Sequence, residues 1–204
     1  MNSDSGRDGS RARRAGALRC VPLIRVPLIW GALLGVPLFG GGCGSGAPPE
    51  GDVERRTTVD AMFEKISNKY ADVPVIDRDG VSATSSVLLV DVRPEDERRV
   101  ATIPGAVTVE ELEAKGDLTG RVVVAYCTVG ERSGRYAKKL RAKGIDARNL
   151  RAGILGWVYE GGSLVDGDGQ PTQKAHVYGD RWNLLPEGWE GITREIRGHD
   201  SEQK

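Results

Sequence analysis

Val122-Val123-Val124-Ala125-Tyr126-Cys127-Thr128-Val129-Gly130-Glu131-Arg132-Ser133 carries the pattern from which the fold is read. Its first five residues are an unbroken, largely β-branched apolar run, as expected of a parallel strand buried on both faces. Beyond Ser133 the spacing changes. Tyr136, Ala137 and Leu140 recur at helical intervals, Lys138, Lys139 and Arg141 take the polar side, and Gly144 supplies a stop. The stretch is a strand, a short loop and a helix, with Cys127 at the carboxyl end of the strand. In such a unit the loop amides converge on one point, and the helix dipole adds partial positive charge there. A sulfur at that point is favoured as the thiolate, the form that reacts.

The pattern continues on both sides. Residues 87–90 predict a central strand, 94–100 a short helix with Pro94 in its first turn, 107–109 a strand, and 110–115 a short acidic helix. Residues 147–150 predict a further strand before a helix carrying Trp157. Upstream, Thr57 reads as a capping residue, followed by Val59, Met62, Phe63, Ile66 and Tyr70 at helical spacing, a stripe that reads as core. Asp77-Arg78-Asp79-Gly80 reads as a turn. Strands alternating with helices imply an α/β domain with an open, mostly parallel sheet covered on both faces.

Three ordered stretches, holding four motifs, resemble the rhodanese, or sulfurtransferase, family. Its simple members carry Cys-x-x-Gly-x-Arg-Ser between a strand and a helix, and here Cys127, Gly130, Arg132 and Ser133 fill the four specified places. Asp91-Val92-Arg93 and Ile103-Pro104-Gly105-Ala106 are similar to two further signatures. Gly153-Ile154-Leu155-Gly156-Trp157 matches the closing Gly-Gly-x-x-x-Trp motif, except that Ala152 replaces the first glycine. Thr102 and Arg98 also depart, standing where many members have histidine and an aromatic. The resemblance covers about residues 84–165 and implies a five-stranded rhodanese-like sheet.

The resemblance also implies a chemistry. Cys127 would be the nucleophile of a ping-pong sulfur transfer. It would take the outer sulfur of thiosulfate, a persulfide or a polysulfide, and a nucleophilic acceptor such as a thiol or cyanide would remove it. The active loop would be Thr128, Val129, Gly130, Glu131, Arg132 and Ser133, supported by Asp91 and Arg93. Four residues separate Cys127 from Arg132, one fewer than in phosphatases of the same fold, so the amide cup suits a single sulfur rather than a tetrahedral phosphate. No cofactor or metal is implied.

Other readings of these residues stand beside that one. On position alone Cys127 is a small buried hydrophobe, and the surrounding motifs are what make it a nucleophile. Gly130 is at least a turn glycine. Arg132 either binds an anion or braces the loop against a carboxylate such as Asp91 or Glu97, the brace being preferred. Ser133 reads first as the N-cap or first-turn residue of the helix and second as a donor to the sulfur. Asp91 ends a strand where ligand sites of open sheets lie, but pairing with a nearby arginine is an equal reading. Glu131, a carboxylate at the rim, is expected to disfavour doubly charged thiosulfate. Since fold does not determine function, the alternative is a noncatalytic rhodanese-like module that binds a partner or senses redox state.

The 204 residues suffice for one core with extensions, read as a signal at 1–42, a linker at 43–56, the domain at 57–165 and a C-terminal extension at 166–204. Basic and acidic residues balance at 29 each, but six arginines and two aspartates fall within residues 1–42. The remainder is mildly acidic, and nothing in it reads as a nucleic-acid surface. The arginines up to Arg25 form a basic region, residues 26–39 an uncharged apolar stretch, and Gly40-Gly41-Gly42-Cys43 follows. This resembles a bacterial lipoprotein signal with Cys43 as the lipidated residue, although Gly40 stands where leucine is usual. An ordinary signal peptide or an uncleaved anchor is the other reading. The expected location is the bacterial cell envelope, with a lipid anchor on the periplasmic side of a membrane. Cys127 would then be the one thiol of the folded part.

The extension is less legible. Asp166-Gly167-Asp168-Gly169 has no carboxylate at Val177, the twelfth position of a calcium loop, and reads as a solvated turn. His176 reads as a structural residue in an edge strand. Trp182 and Trp189 are expected to anchor the tail to the body, and His199 lies in a charged terminus.

Overall fold

A computed structural model describes residues 51–193 of the chain; the signal, Cys43, most of the linker and His199 lie outside them. Helix α1 (Asp52–Lys69) is followed by β1 (Val75–Ile76), α2 (Arg78–Ala83), β2 (Val87–Asp91), α3 (Glu95–Val100), β3 (Val107–Thr108) and α4 (Val109–Ala114). Next come β4 (Val122–Tyr126), α5 (Glu131–Arg141), β5 (Ala147–Leu150) and α6 (Gly153–Tyr159). The extension adds β6 (Leu164–Val165), β7 (Pro171–Thr172), β8 (Lys174–Val177), a 3₁₀ turn (Asp180–Trp182) and β9 (Glu190–Thr193).

The expected sheet is present. Five strands lie in the order β1-β5-β4-β2-β3, and every pairing among them is parallel. Strand β4 is central, with Val123 opposite Leu88 on one side and Ala147 on the other. Its alternate residues feed two cores, as a period of two requires. Val124 and Tyr126 join α1 and α6 residues such as Val59, Phe63, Ile154 and Leu155. Val123 and Ala125 join Leu112 of α4 and Ala137 and Leu140 of α5. From β2 the chain runs outward to β3, and from β4 it runs the other way to β5. The carboxyl ends of β2 and β4 therefore flank the point where strand order reverses, where ligand crevices of open sheets form.

Three local expectations are corrected. Helix α1 begins at Asp52, inside the segment read as linker to residue 56. Asp52 and Glu54 complement the helix dipole, Asp52 accepts the Glu187 N–H at 2.7 Å, and the Thr57 hydroxyl bonds back to the Val53 carbonyl as an interior residue rather than a cap. The segment 77–80 is the start of α2, because the Asp77 carboxylate accepts the Gly80 N–H as an N-cap. Trp182 is exposed and stacks under Arg181, whereas Trp189 packs on the core as expected. The extension shares that core through Ala175, Val177, Leu184 and Leu185. Asp166 closes the β6–β7 turn by accepting the N–H groups of Asp168 and Gln170. Strands β8 and β9 form a separate parallel pair.

Candidate active site

Cys127 follows β4 directly and is a free thiol, 2 % exposed. Two donors reach its sulfur: the Gly130 N–H at 3.2 Å and the Ser133 hydroxyl at 3.5 Å. Gly130 occupies the N-cap position of α5 with φ +121°, so Ser133 sits in the first turn and uses its hydroxyl on the sulfur. Only glycine suits this bend. A Cβ on Gly130 would stand 2.8 Å from the Phe63 ring and 3.3 Å from Asn149 Nδ2.

The loop is held from behind. The Cys127 and Thr128 carbonyls accept the Ile154 and Leu155 N–H groups of α6 at 2.8 and 3.3 Å. The Gly130 carbonyl accepts from Asn149 Nδ2 at 3.0 Å and from the Gly134 N–H at 2.8 Å. Gly153, at φ +56°, permits the approach of α6, since a Cβ there would lie 2.3 Å from the Cys127 carbonyl oxygen. Ala152, in the place of the motif's first glycine, also adopts a left-handed conformation, at φ 53°. Val129 packs on the α1–α6 core.

Arg132 is the brace, and its partner is Glu97 rather than Asp91. Its two terminal nitrogens meet the two Glu97 oxygens at 2.7 and 2.9 Å, and one also reaches the Thr128 hydroxyl at 3.1 Å. Glu97 is 3 % exposed and also accepts from Thr128 at 3.4 Å and from Tyr178 at 3.2 Å. Burial disfavours the Arg132 cation, but the Glu97 carboxylate outweighs it and raises the guanidinium pKa above its ordinary value. One carboxylate on α3 thus gathers both ends of the cysteine loop and a residue of the extension.

Asp91 and Arg93 form a second buried pair. Arg93 Nε and Nη2 reach the two Asp91 oxygens at 2.9 and 2.7 Å, and Nη2 also donates to the Ala101 carbonyl. Thr102, one of the departures from the family pattern, donates to Asp91 at 3.1 Å and meets the Tyr126 hydroxyl at 2.7 Å. The two charges offset one another, although Arg93 Nη1 is buried without a hydrogen-bond partner, and the pair holds the loop after β2, from which α3 and Glu97 start. Arg98, the other departure, donates to the Arg93 carbonyl.

Glu131 differs from expectation. Its carboxylate is paired with Lys69 and accepts the Tyr70 hydroxyl at 2.7 Å. Lys69 and Tyr70 hold it below the usual carboxylate range. With its charge offset by Lys69, the expected repulsion of a doubly charged donor loses its source. A cleft of about 320 Å³ opens beside Arg132, lined by Val92, Val109, Arg132, Arg135, Tyr136 and Lys139.

Tyr178 had no sequence signal. Its ring lies 5.7 Å from the Arg132 guanidinium carbon, and His176 meets it edge-on with ring centroids 5.5 Å apart. His176 is buried and neither ring nitrogen has a hydrogen-bond partner. Burial lowers its pKa, favouring the neutral ring, which fits the structural role expected of it.

A family model described as rhodanese-like domain matches residues 62–160. The tRNA sulfurtransferase of Desulfurococcus amylolyticus is 34 % identical over 67 residues, which are 33 % of this chain and 14 % of that protein. Among solved structures, a thiosulfate sulfurtransferase from Pseudomonas aeruginosa is 24 % identical, covering 55 % of this chain and 23 % of that one, with a TM-score of 0.45. A rhodanese-like domain protein from Staphylococcus aureus is 26 % identical, covering 42 % of this chain and 91 % of that one, with a TM-score of 0.37. The chain thus spans less than a quarter of the Desulfurococcus and Pseudomonas proteins it resembles.

Proposed function

Because residues 62–160 form a rhodanese-like domain, we propose that this chain is a sulfurtransferase working through a persulfide on Cys127. The observation that carries the reading is the loop itself: a single thiol at the end of β4, with the Gly130 N–H and Ser133 hydroxyl on its sulfur and the Arg132–Glu97 pair closing a four-residue span. In the first half-reaction the Cys127 thiolate attacks the outer sulfur of the donor. A sulfur–sulfur bond forms at Cys127, the donor's own sulfur–sulfur bond breaks, and the leaving group departs with the electron pair, as sulfite from thiosulfate or a thiolate from a persulfide. In the second, a thiolate or cyanide attacks the outer sulfur, and Cys127 leaves as the thiolate. The Gly130 N–H and Ser133 hydroxyl stabilise negative charge on sulfur through both steps. Arg135 and Lys139, in the cleft beside Arg132, support an anionic donor.

One observation favours a second reading, a noncatalytic module that binds a partner or senses redox state: the near-complete burial of Cys127. The same experiment separates them. The chain from Gly44 is incubated with thiosulfate or a polysulfide, and its intact mass is followed. An added mass of one sulfur, removed by cyanide or a thiol and absent from Cys127→Ala, is the expected result. Undiminished sulfur transfer by Cys127→Ala, or no adduct with any donor, would overturn the enzyme reading. We also propose, on residues 1–43, that the chain is exported and anchored through a lipid on Cys43.

A further inference from the structure

We propose that Tyr178, a residue of the C-terminal extension, gates access to Cys127 and sets the size of donor that the site admits. The inference rests on the Cys127 reading above. Cys127 is 2 % exposed, so a donor reaches it only if part of its shell moves. Most of that shell cannot move cheaply. Ser133 on the sulfur and Phe63 and Asn149 behind Gly130 are buried, and the α6 amides are bonded to the loop carbonyls. Tyr178, which touches Arg132 at one end of the loop and Glu97, the partner of Thr128 at the other, is different: it is 57 % exposed and is held by a hydroxyl bond to Glu97, by its ring against Arg132 and by an edge-on contact with His176.

Its position is set by distant pairing. Strand β8 is fixed by its parallel pairing with β9 and by the buried side chains of Ala175, His176 and Val177, and Tyr178 is the first residue after it. The tether is therefore rigid and the side chain beyond it is not. The ring lies against Arg132, at one end of the loop, and its hydroxyl shares Glu97 with Thr128, at the other. Swinging the ring outward gives up the hydroxyl bond to Glu97, the cation–π contact with Arg132 and the edge-on contact with His176, three contacts of a side chain already more than half exposed. It leaves the Arg132–Glu97 pair and the loop amides in place. Tyr178 lies outside the matched segment 62–160, so the selectivity belongs to this chain's extension rather than to the domain it closes.

The test reads access without relying on sulfur transfer. In the full chain, alkylation at Cys127 is followed by peptide mass with a small reagent, iodoacetamide, and a bulky one, N-phenylmaleimide. Tyr178→Ala should speed iodoacetamide about threefold and the maleimide about tenfold or more. Tyr178→Phe, which loses only the hydroxyl bond, should fall between, and Tyr178→Trp should slow the maleimide. In steady-state assays Tyr178→Ala should lower KM for a bulky alkyl persulfide relative to thiosulfate. A bulky-to-small rate ratio within about twofold of wild type in the folded variants would overturn the gate. If Tyr178→Ala does not fold, the Phe and Trp variants decide by the same ratio. Failure of every donor to load Cys127, with the alkylation ratio still responding to Tyr178, would sink the sulfurtransferase reading and leave the gate standing.

Discussion

Replacing Glu97 by Gln tests whether the carboxylate on α3 holds the cysteine loop in shape. The native group accepts from both Arg132 nitrogens, from Thr128 and from Tyr178 while 3 % exposed. Glutamine has nearly the same volume but only one accepting oxygen, so its NH₂ must face a donor, and the guanidinium loses its counter-charge. Removing one partner of a fully buried pair costs about 3–5 kcal/mol. The Arg132 side chain is 29 % exposed, so water recovers part of that, leaving about 2–3 kcal/mol. For a domain of this size the loss lowers Tm by roughly 4–12 °C. Urea unfolding followed by tryptophan fluorescence measures the stability, and persulfide loading measures the loop. Stability should fall by that amount and loading should slow at a temperature where the variant is folded. The double variant Glu97→Leu with Arg132→Met should recover much of the stability, since apolar groups can replace a buried pair, but not the loading rate. A cost below about 0.5 kcal/mol with normal loading would refute the reasoning.

Gly153→Ala would place a methyl 2.3 Å from the Cys127 carbonyl oxygen. It should cost about 3 kcal/mol and cut loading more than a core substitution of equal destabilisation, read by urea unfolding beside intact mass. Glu131 has its pKa depressed in the folded protein by Lys69 and Tyr70. Its contribution should therefore be present above the unfolded carboxylate pKa of about 4.3 and vanish as pH falls through the folded value. The stability difference between wild type and Glu131→Gln should be flat near neutral pH and shrink in acid; a difference that grows on acidification contradicts the pairing. For Cys43, a fatty-acid probe in a bacterial host should label the wild type and not Cys43→Ser, with Cys127 loading intact in both. An unlabelled wild type would leave a plain signal peptide or an uncleaved anchor as the better account.

The parts of the fold legible in the sequence are those whose cause is local. Strand β4 matches its apolar run from Val122 to Tyr126, because buried parallel strands are written as uninterrupted apolar residues; β5 matches the expected 147–150 although Arg148 and Asn149 interrupt its apolar residues. The start of α1 was not legible, because the mostly charged residues 52–56 are held partly by Asp52 reaching Glu187, a contact between segments far apart in sequence. Glu97 was legible only as one of two carboxylates available to Arg132; choosing it requires knowing that α3 turns back over the loop. Tyr178 was not legible at all. Its place depends on pairing 174–177 with 190–193, and short parallel strands of mixed polarity leave no periodic trace.

The bonds between the cysteine loop and its supports have one further consequence. A peptide unit is planar and trans, so directing its carbonyl one way points the N–H of the next residue the other way. With the Cys127 and Thr128 carbonyls committed to α6 and that of Gly130 to Asn149, the Thr128, Val129 and Glu131 amides have no freedom to turn over. The direction of these three amide dipoles is thus fixed by the loop's supports. A substitution that shifts α6 by a fraction of an ångström, far from any reacting atom, would alter the field at the sulfur as surely as one inside the loop.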